Sequence, residues 1–245
     1  MKDAKTDTIF STPMQQVPDF VFDASVASVF TDMISRSVPG YATVVAISGL
    51  LAERFSQPNT QLYDLGCSLG ATTMAMAQKA ADGCKVIGVD NSQPMLDGLR
   101  ALLEQKPLKN AGIIQLLCSD IRNANIDNAS VVALNYTLQF VARNHRALLL
   151  QKIFEGMNKG GVLILSEKIV LPDADVNNLF IDLHHEFKRS NGYSELEISQ
   201  KRDAIEDVLL PESIDQHRQR LLGCGFKTAE VWFQCFNFAS LIAIK

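Results

Sequence analysis

The sequence lacks the features that would take it outside ordinary globular proteins. Its most apolar stretch, Tyr41 to Ala52, carries Thr43 and Ser48 and falls well short of the roughly 20 residues a bilayer span needs. The opening MKDAKTDTIF has no apolar core, so no secretory signal is expected. The 5 cysteines (Cys67, Cys84, Cys118, Cys224 and Cys235) are odd in number and form no CxxC, which excludes a disulfide framework and argues against zinc. They read as reduced thiols in a cytoplasmic protein. Charge of one sign is also scarce: 23 Lys+Arg face 27 Asp+Glu for a net charge of −4, with no basic stripe for gripping a nucleic-acid backbone. Internal repeats and low-complexity tracts are absent.

What is present is an alternation of two periods. Apolar, strand-like runs at 61–65, 84–89, 112–117, 130–135 and 162–166 are separated by helical patterns at 70–80, 93–104 and 145–157. Continuous apolar strands joined by helical crossovers predict an α/β fold with a doubly wound, mostly parallel sheet, covered on both faces. Two N-terminal helices, 20–37 and 42–55, are set apart by Val38-Pro39-Gly40. A polar stretch, 173–210, reads as a helical insertion over one sheet edge. The chain closes with a helix, 213–223, and strands 229–236 and 238–244, whose tight link predicts an antiparallel hairpin and completes a seven-stranded sheet. The expected organisation is a single domain, 1–245. Its parts are N-terminal helices (1–58), a nucleoside-binding core (59–170), the insertion (171–211) and the closing helix and hairpin (212–245).

The chemistry starts after the first core strand, in Asp64-Leu65-Gly66-Cys67-Ser68-Leu69-Gly70. A glycine-rich strand-to-helix turn lets backbone pass close to a ligand and offers free N–H groups, although such a turn alone can be only a turn. Asp90 ends the second strand, where a carboxylate can accept from both ribose hydroxyls; capping the next helix is its other reading, and Ser92 could cap as well. Asp120 ends the third strand, where it can accept from an adenine amine while the Ile121 N–H donates to a ring nitrogen. Acids at successive strand ends match the ligand crevice of doubly wound folds. The turn is not the GxGxxG of a dinucleotide fold, because Ser68 stands where a second glycine would, and no GK[ST] follows.

This combination resembles the class I S-adenosylmethionine (SAM) methyltransferases, with Ser68 for the central glycine as the departure. A closer resemblance lies in YDLGCSLGA (63–71), DNS (90–92), NYTLQF (135–140), LSEK (165–168), HHEFKRSNGYSELEISQKR (184–202) and WFQCFNF (232–238). These stretches are similar to the carboxy-S-adenosyl-L-methionine synthase family. The resemblance implies conversion of SAM and prephenate to carboxy-SAM and phenylpyruvate, without a metal. It further implies a homodimer, and a partner enzyme that uses the product to make 5-oxyacetyl uridine at the tRNA wobble position.

The same resemblance places Tyr41 against the ligand, Gly66, Cys67 and Ser68 on the methionine moiety, and Asp90 and Asn91 on the ribose. Asp120 and Ile121 fall on adenine, and Asn135 near the sulfonium. Arg202 is the implied catalytic residue, its guanidinium matching the carboxylate that distinguishes the product from SAM. Without the resemblance, Lys201-Arg202 reads as a solvated pair balanced by Asp203 and Glu206. Paired His184 and His185 read more readily as packing residues than as a base, and the proton can leave with the hydroxide of prephenate. Two other readings stay open: a small-molecule SAM methyltransferase, and a non-catalytic subunit supporting the tRNA-modifying partner.

Overall fold

A computed structural model describes residues 5–105 and 113–245; residues 1–4, at the start of the opening segment, and Gly112, at the predicted start of the third strand, lie outside it. In chain order the elements are α1 (Ala24–Ser37), α2 (Tyr41–Phe55), β1 (Gln61–Leu65), α3 (Ala71–Ala77), β2 (Lys85–Asp90), α4 (Gln93–Gln105), β3 (Ile114–Cys118) and β4 (Ala129–Asn135). There follow α5 (Arg143–Gly156), β5 (Met157–Lys168), α6 (Ala174–Ser190), α7 (Glu195–Ile205), α8 (Ile214–Gly223), β6 (Thr228–Cys235) and β7 (Phe238–Ile244).

The strands form a 7-stranded sheet in the order β3-β2-β1-β4-β5-β7-β6. Strands β1 to β5 run parallel, and β7 is antiparallel to both β5 and β6. The sequence alternation shows why both faces are covered. Leu62, Val131, Ala133, Val162 and Ile164 point to one side and meet α2 and α3 through Ala52, Met76 and Ala77. Their neighbours Tyr63, Val132, Leu134, Leu163 and Leu165 point to the other and meet α5 and α8 through Leu149, Leu150, Ile153 and Leu221. Successive side chains of a strand face opposite ways, so a run apolar at every position has to be sandwiched.

Chain order reverses at β1, whose neighbours are β2 and β4. That opens a crevice beyond the strand C-termini. Helix α1 lies beside this crevice, with Val26, Val29, Phe30 and Met33 packed on Met95 of α4. The predicted insertion is two helices: α6 stops at Asn191-Gly192, where Gly192 takes φ +87°, and α7 restarts on a Ser194–Glu197 capping box. The N-terminal segment straps α7 down. Met14 N–H donates to Gln200 Oε1 (2.7 Å), and Gln200 Nε2 donates to the carbonyls of Phe10 and Thr12 (2.9 Å each).

One strand is longer than the sequence suggests. Asn158-Lys159-Gly160-Gly161 reads as a break, yet β5 begins at Met157, opposite Ala129, and absorbs the irregularity as a register shift between Ala129 and Val131. Among the described residues no helix is long and apolar enough to cross a membrane.

Candidate active site

The turn after β1 is built by three left-handed residues, Gly66 (φ +83°), Ser68 (+47°) and Gly70 (+75°). The N–H groups of Gly66 and Cys67 both donate to the Val89 carbonyl, at 2.8 and 3.0 Å, which draws the turn onto β2. Ser68, the departure from a glycine pattern, holds a conformation that costs an L-residue about 1–2 kcal/mol. Its N–H donates to Asp90 Oδ2 at 2.8 Å, which fixes it there.

Asp90 therefore shapes the turn before any ligand arrives. Its other oxygen accepts from Ser92 N–H at 2.8 Å, while Ser92 Oγ accepts from Met95 N–H at 3.3 Å and so caps α4. Each carboxylate oxygen keeps a second lone pair for ribose hydroxyls. Burial raises the Asp90 pKa, against the pull of those two N–H groups. Beside it, Asp64 is 2% exposed and accepts from Thr73 Oγ1 at 2.6 Å; burial lifts its pKa to about 6, and the Asp90 charge adds to the rise. Nothing in the motif alone singles out Asp64.

Asp120 is engaged by its own neighbour. Arg122 donates Nε to Oδ1 (3.0 Å) and Nη2 to Oδ2 (2.6 Å), and this guanidinium holds the Asp120 pKa down. The Asn135 amide is fixed on three sides, donating to Ser48 Oγ (3.2 Å) and Thr72 Oγ1 (3.0 Å) and accepting from Ser166 Oγ (2.7 Å). Tyr136, which the sequence reading passed over, takes φ +60° and anchors its N–H on the Ser166 carbonyl at 2.6 Å. Its hydroxyl is buried without a hydrogen-bond partner among the described residues, and its ring lies 6.2 Å from that of Tyr41.

Tyr41, Gly66, Cys67, Ser68, Asp90, Asn91, Asp120, Ile121 and Asn135 all line one cavity of about 500 Å³. That is within the range of small-molecule and cofactor sites. Arg202 is not among its walls. The Arg202 side chain is 58% exposed and pairs with Asp203 at 3.3 Å.

Besides Arg122, which is paired with Asp120, the cations lining the cavity are Lys168, Lys188 and Lys201, at the end of β5, in the last turns of α6, and in α7. Burial lowers all of their pKa values, that of Lys188 to about 7 and that of Lys201 to about 8. His184 stands among them, with Nε2 at 2.8 Å from the Ser37 carbonyl and its ring against Phe238. That contact makes Nε2 the protonated nitrogen, and burial drops the pKa to about 2, so the ring is neutral. The stretches 165–168 and 184–202 contain the lysines, but nothing in them shows convergence, because the lysines come from separate elements and meet only when the insertion folds over the crevice. The cavity thus has an acidic end at Asp64 and Asp90 and a basic end under α6 and α7.

Comparison with known proteins agrees with this geometry. A methyltransferase-domain family matches residues 62–161. The carboxy-S-adenosyl-L-methionine synthase of Aliivibrio fischeri is 54% identical over 243 residues, covering 99% of this chain and 100% of its own. That of Photobacterium profundum is 52% identical over 246 residues, with 100% of both chains covered. Solved structures share the fold at low identity. Human N-acetylserotonin methyltransferase with SAM has a TM-score of 0.60 at 15% identity, covering 100% of this chain and 64% of its own. Magnesium protoporphyrin IX methyltransferase from Synechocystis, with bound SAH, has a TM-score of 0.60 at 15% identity and 87% coverage of both chains.

Proposed function

The chain belongs to the carboxy-S-adenosyl-L-methionine synthase family, and from that premise we propose that it carboxylates the S-methyl carbon of SAM with prephenate as the carbon donor. The observation that carries the reading is the cavity itself, which joins the nucleoside cradle to a cluster of lysines. A site built only for methyl transfer has no use for cations near a sulfonium, whereas a site handling carboxylates does.

The proposed reaction balances without a further reagent. Prephenate loses its ring carboxylate as carbon dioxide and its ring hydroxyl as hydroxide, which leaves phenylpyruvate. The S-methyl carbon gives up one proton and forms a bond to the carbon dioxide; the proton and hydroxide leave as water. SAM is a substrate here, consumed one for one. The protein's part is to align the donor with the methyl carbon and keep bulk water away. Phe22 serves the second task, packed edge-to-face on Phe20 and Phe140 at 5.1 and 5.4 Å across the cavity wall.

The family resemblance extends the proposal. The product supplies an enzyme that installs 5-oxyacetyl uridine at the tRNA wobble position; this chain works in the cytoplasm as a homodimer and grips no nucleic acid itself, in keeping with its net charge of −4. Arg202 is the proposed partner of the product's new carboxylate, which it can meet only by leaving Asp203.

The test is a mass spectrum of the small molecules released on denaturing the protein after incubation with SAM, with and without prephenate. A prephenate-dependent species heavier than SAM by one carbon dioxide is expected. Arg202→Ala should retain that species about tenfold less tightly, while holding SAM unchanged. Unaltered SAM in both samples would leave the methyltransferase reading in place.

A pH dependence follows from Asp64. Its pKa of about 6 is set by burial, and a sulfonium nearby favours the ionised form. Below that pH the carboxyl must first lose a proton, so SAM affinity should fall about tenfold between pH 7 and pH 5. S-adenosylhomocysteine, which lacks the positive charge, should show a much flatter profile by calorimetry. Parallel profiles for the two ligands, or a profile unchanged in Asp64→Asn, would assign the effect elsewhere.

A further inference from the structure

We propose that Lys168, Lys188 and Lys201 form a subsite that binds a carboxylate of the carbon donor; the inference deepens the proposed function and rests on it. The first observation is convergence. The lysines come from three elements distant in sequence, yet all line the basic end of one cavity. The second is that two of them are unpaired. Lys188 is 9% exposed and Lys168 half-buried, and neither ammonium has a hydrogen-bond or ion-pair partner among the described residues. Lys201, 8% exposed, has a 3.7 Å ion pair with Asp7, a 3.1 Å hydrogen bond to Ser37 Oγ and the Tyr193 ring at 5.5 Å.

Buried ammonium groups without partners are unfavourable unless something arrives to pair with them. Their depressed pKa values report that cost, and for Lys188 the charges of Lys201 and Lys168 add to it. A carboxylate bound between them would restore full protonation. Among the described residues no acid lining the cavity does so, since Asp64 and Asp90 are held by Thr73, Ser68 and Ser92, and Asp120 by Arg122.

SAM also carries a carboxylate, so two sources of the same chemistry compete. The turn at Gly66–Ser68 is the proposed seat of the methionine moiety, away from α6 and α7. A sulfonium held in the middle of the cavity would be repelled by the lysines, which favours a position on the far side of the reacting carbon. Tyr136, Phe238 and Ile205 line the same cavity and offer an apolar wall suited to the ring of a cyclic dicarboxylate. The subsite is therefore assigned to the donor.

The test is binding without turnover: calorimetric titration of prephenate into protein saturated with S-adenosylhomocysteine, which has no methyl group to react. This separates the lysine proposal from the fate of the carboxylation reading. Wild-type protein should bind prephenate. Lys188→Met and Lys168→Met should each weaken that binding about tenfold or more, with S-adenosylhomocysteine affinity changed less than twofold. Lys188→Arg should recover part of the loss. Because Lys188→Met removes a buried unpaired charge, its thermal midpoint should rise, so a folding defect cannot imitate the result. Three outcomes would overturn the proposal: wild-type protein that does not bind prephenate, parallel loss of both ligands, or retention of both. Parallel loss would hand the lysines to the methionine carboxylate of SAM.

Discussion

Gly66→Ala should weaken SAM binding by about a hundredfold, from roughly 3 kcal/mol of combined backbone strain and overpacking. At φ +83° a Cβ is disfavoured by the backbone alone. It would also stand 2.3 Å from Thr137 Oγ1, 2.4 Å from Thr137 Cγ2 and 2.9 Å from Thr137 Cβ. The last atom adjoins the main chain, so no rotamer change relieves the collision. The turn must move off β4, and the Ser68 N–H moves with it, away from Asp90 Oδ2. One methyl group thereby displaces both the proposed methionine seat and the proposed ribose acid. Calorimetry with S-adenosylhomocysteine reads the loss, and circular dichroism checks that the sheet survives. An affinity within threefold of wild type would show that this turn does not hold the ligand.

That glycine is also where the sequence was most legible. The β–α alternation, the glycine turn and an acid at each of the next two strand ends are local patterns, spaced by the strand and helix that separate them. Such patterns locate a crevice because a parallel sheet brings consecutive strand ends together. The pairing of Asp90 with Ser68 was out of reach, since it needs the left-handed turn to aim an N–H at the next strand. The basic end was illegible for a stronger reason. Lys168 lies just past an apolar strand, Lys188 and Lys201 in a stretch that reads as a polar helical insertion, and only the folding of α6 and α7 over the crevice brings them together. Arg202, next to Lys201 in sequence, turns the other way, because adjacent residues on a helix are about 100° apart. A resemblance in SQKR therefore points to the right stretch of helix without saying which side chain looks inward in a single chain.

Arg146→Met should be the most destabilising single change outside the ligand contacts, at about 3–5 kcal/mol. Typical domain stability is only about 5–15 kcal/mol, so a large share would go. The Arg146 side chain is 0% exposed and meets Glu212, itself 4% exposed, at 2.5 Å. Its Nε also donates to the Val141 carbonyl (2.8 Å), and Nη2 donates to the carbonyls of Leu210 (2.8 Å) and Gln139 (3.2 Å). Methionine fills much of the volume but leaves the carbonyls of Val141 and Leu210 without this donor; Gln139 O keeps the Leu210 N–H at 2.9 Å. Glu212 retains Arg220 at 2.6 Å, too little to offset full burial of its charge. The consequence reaches the site, because the guanidinium ties the Leu138–Phe140 turn to the segment leaving α7. Glu167 holds the same turn from below, accepting the N–H groups of Leu138 and Gln139 at 2.9 and 2.8 Å. Phe140 and Gln139 are cavity walls, so prephenate binding should weaken along with stability. Urea unfolding measures the loss, with Arg100→Met as the control: Arg100 is 46% exposed and pairs with Asp97 on the surface. If both variants shift the midpoint equally, the buried cluster is not what holds α5 to the segment that follows α7. If Arg146→Met/Glu212→Leu recovers more than half of the loss, the cost lay in the stranded carboxylate, and a smaller recovery assigns it to the carbonyls.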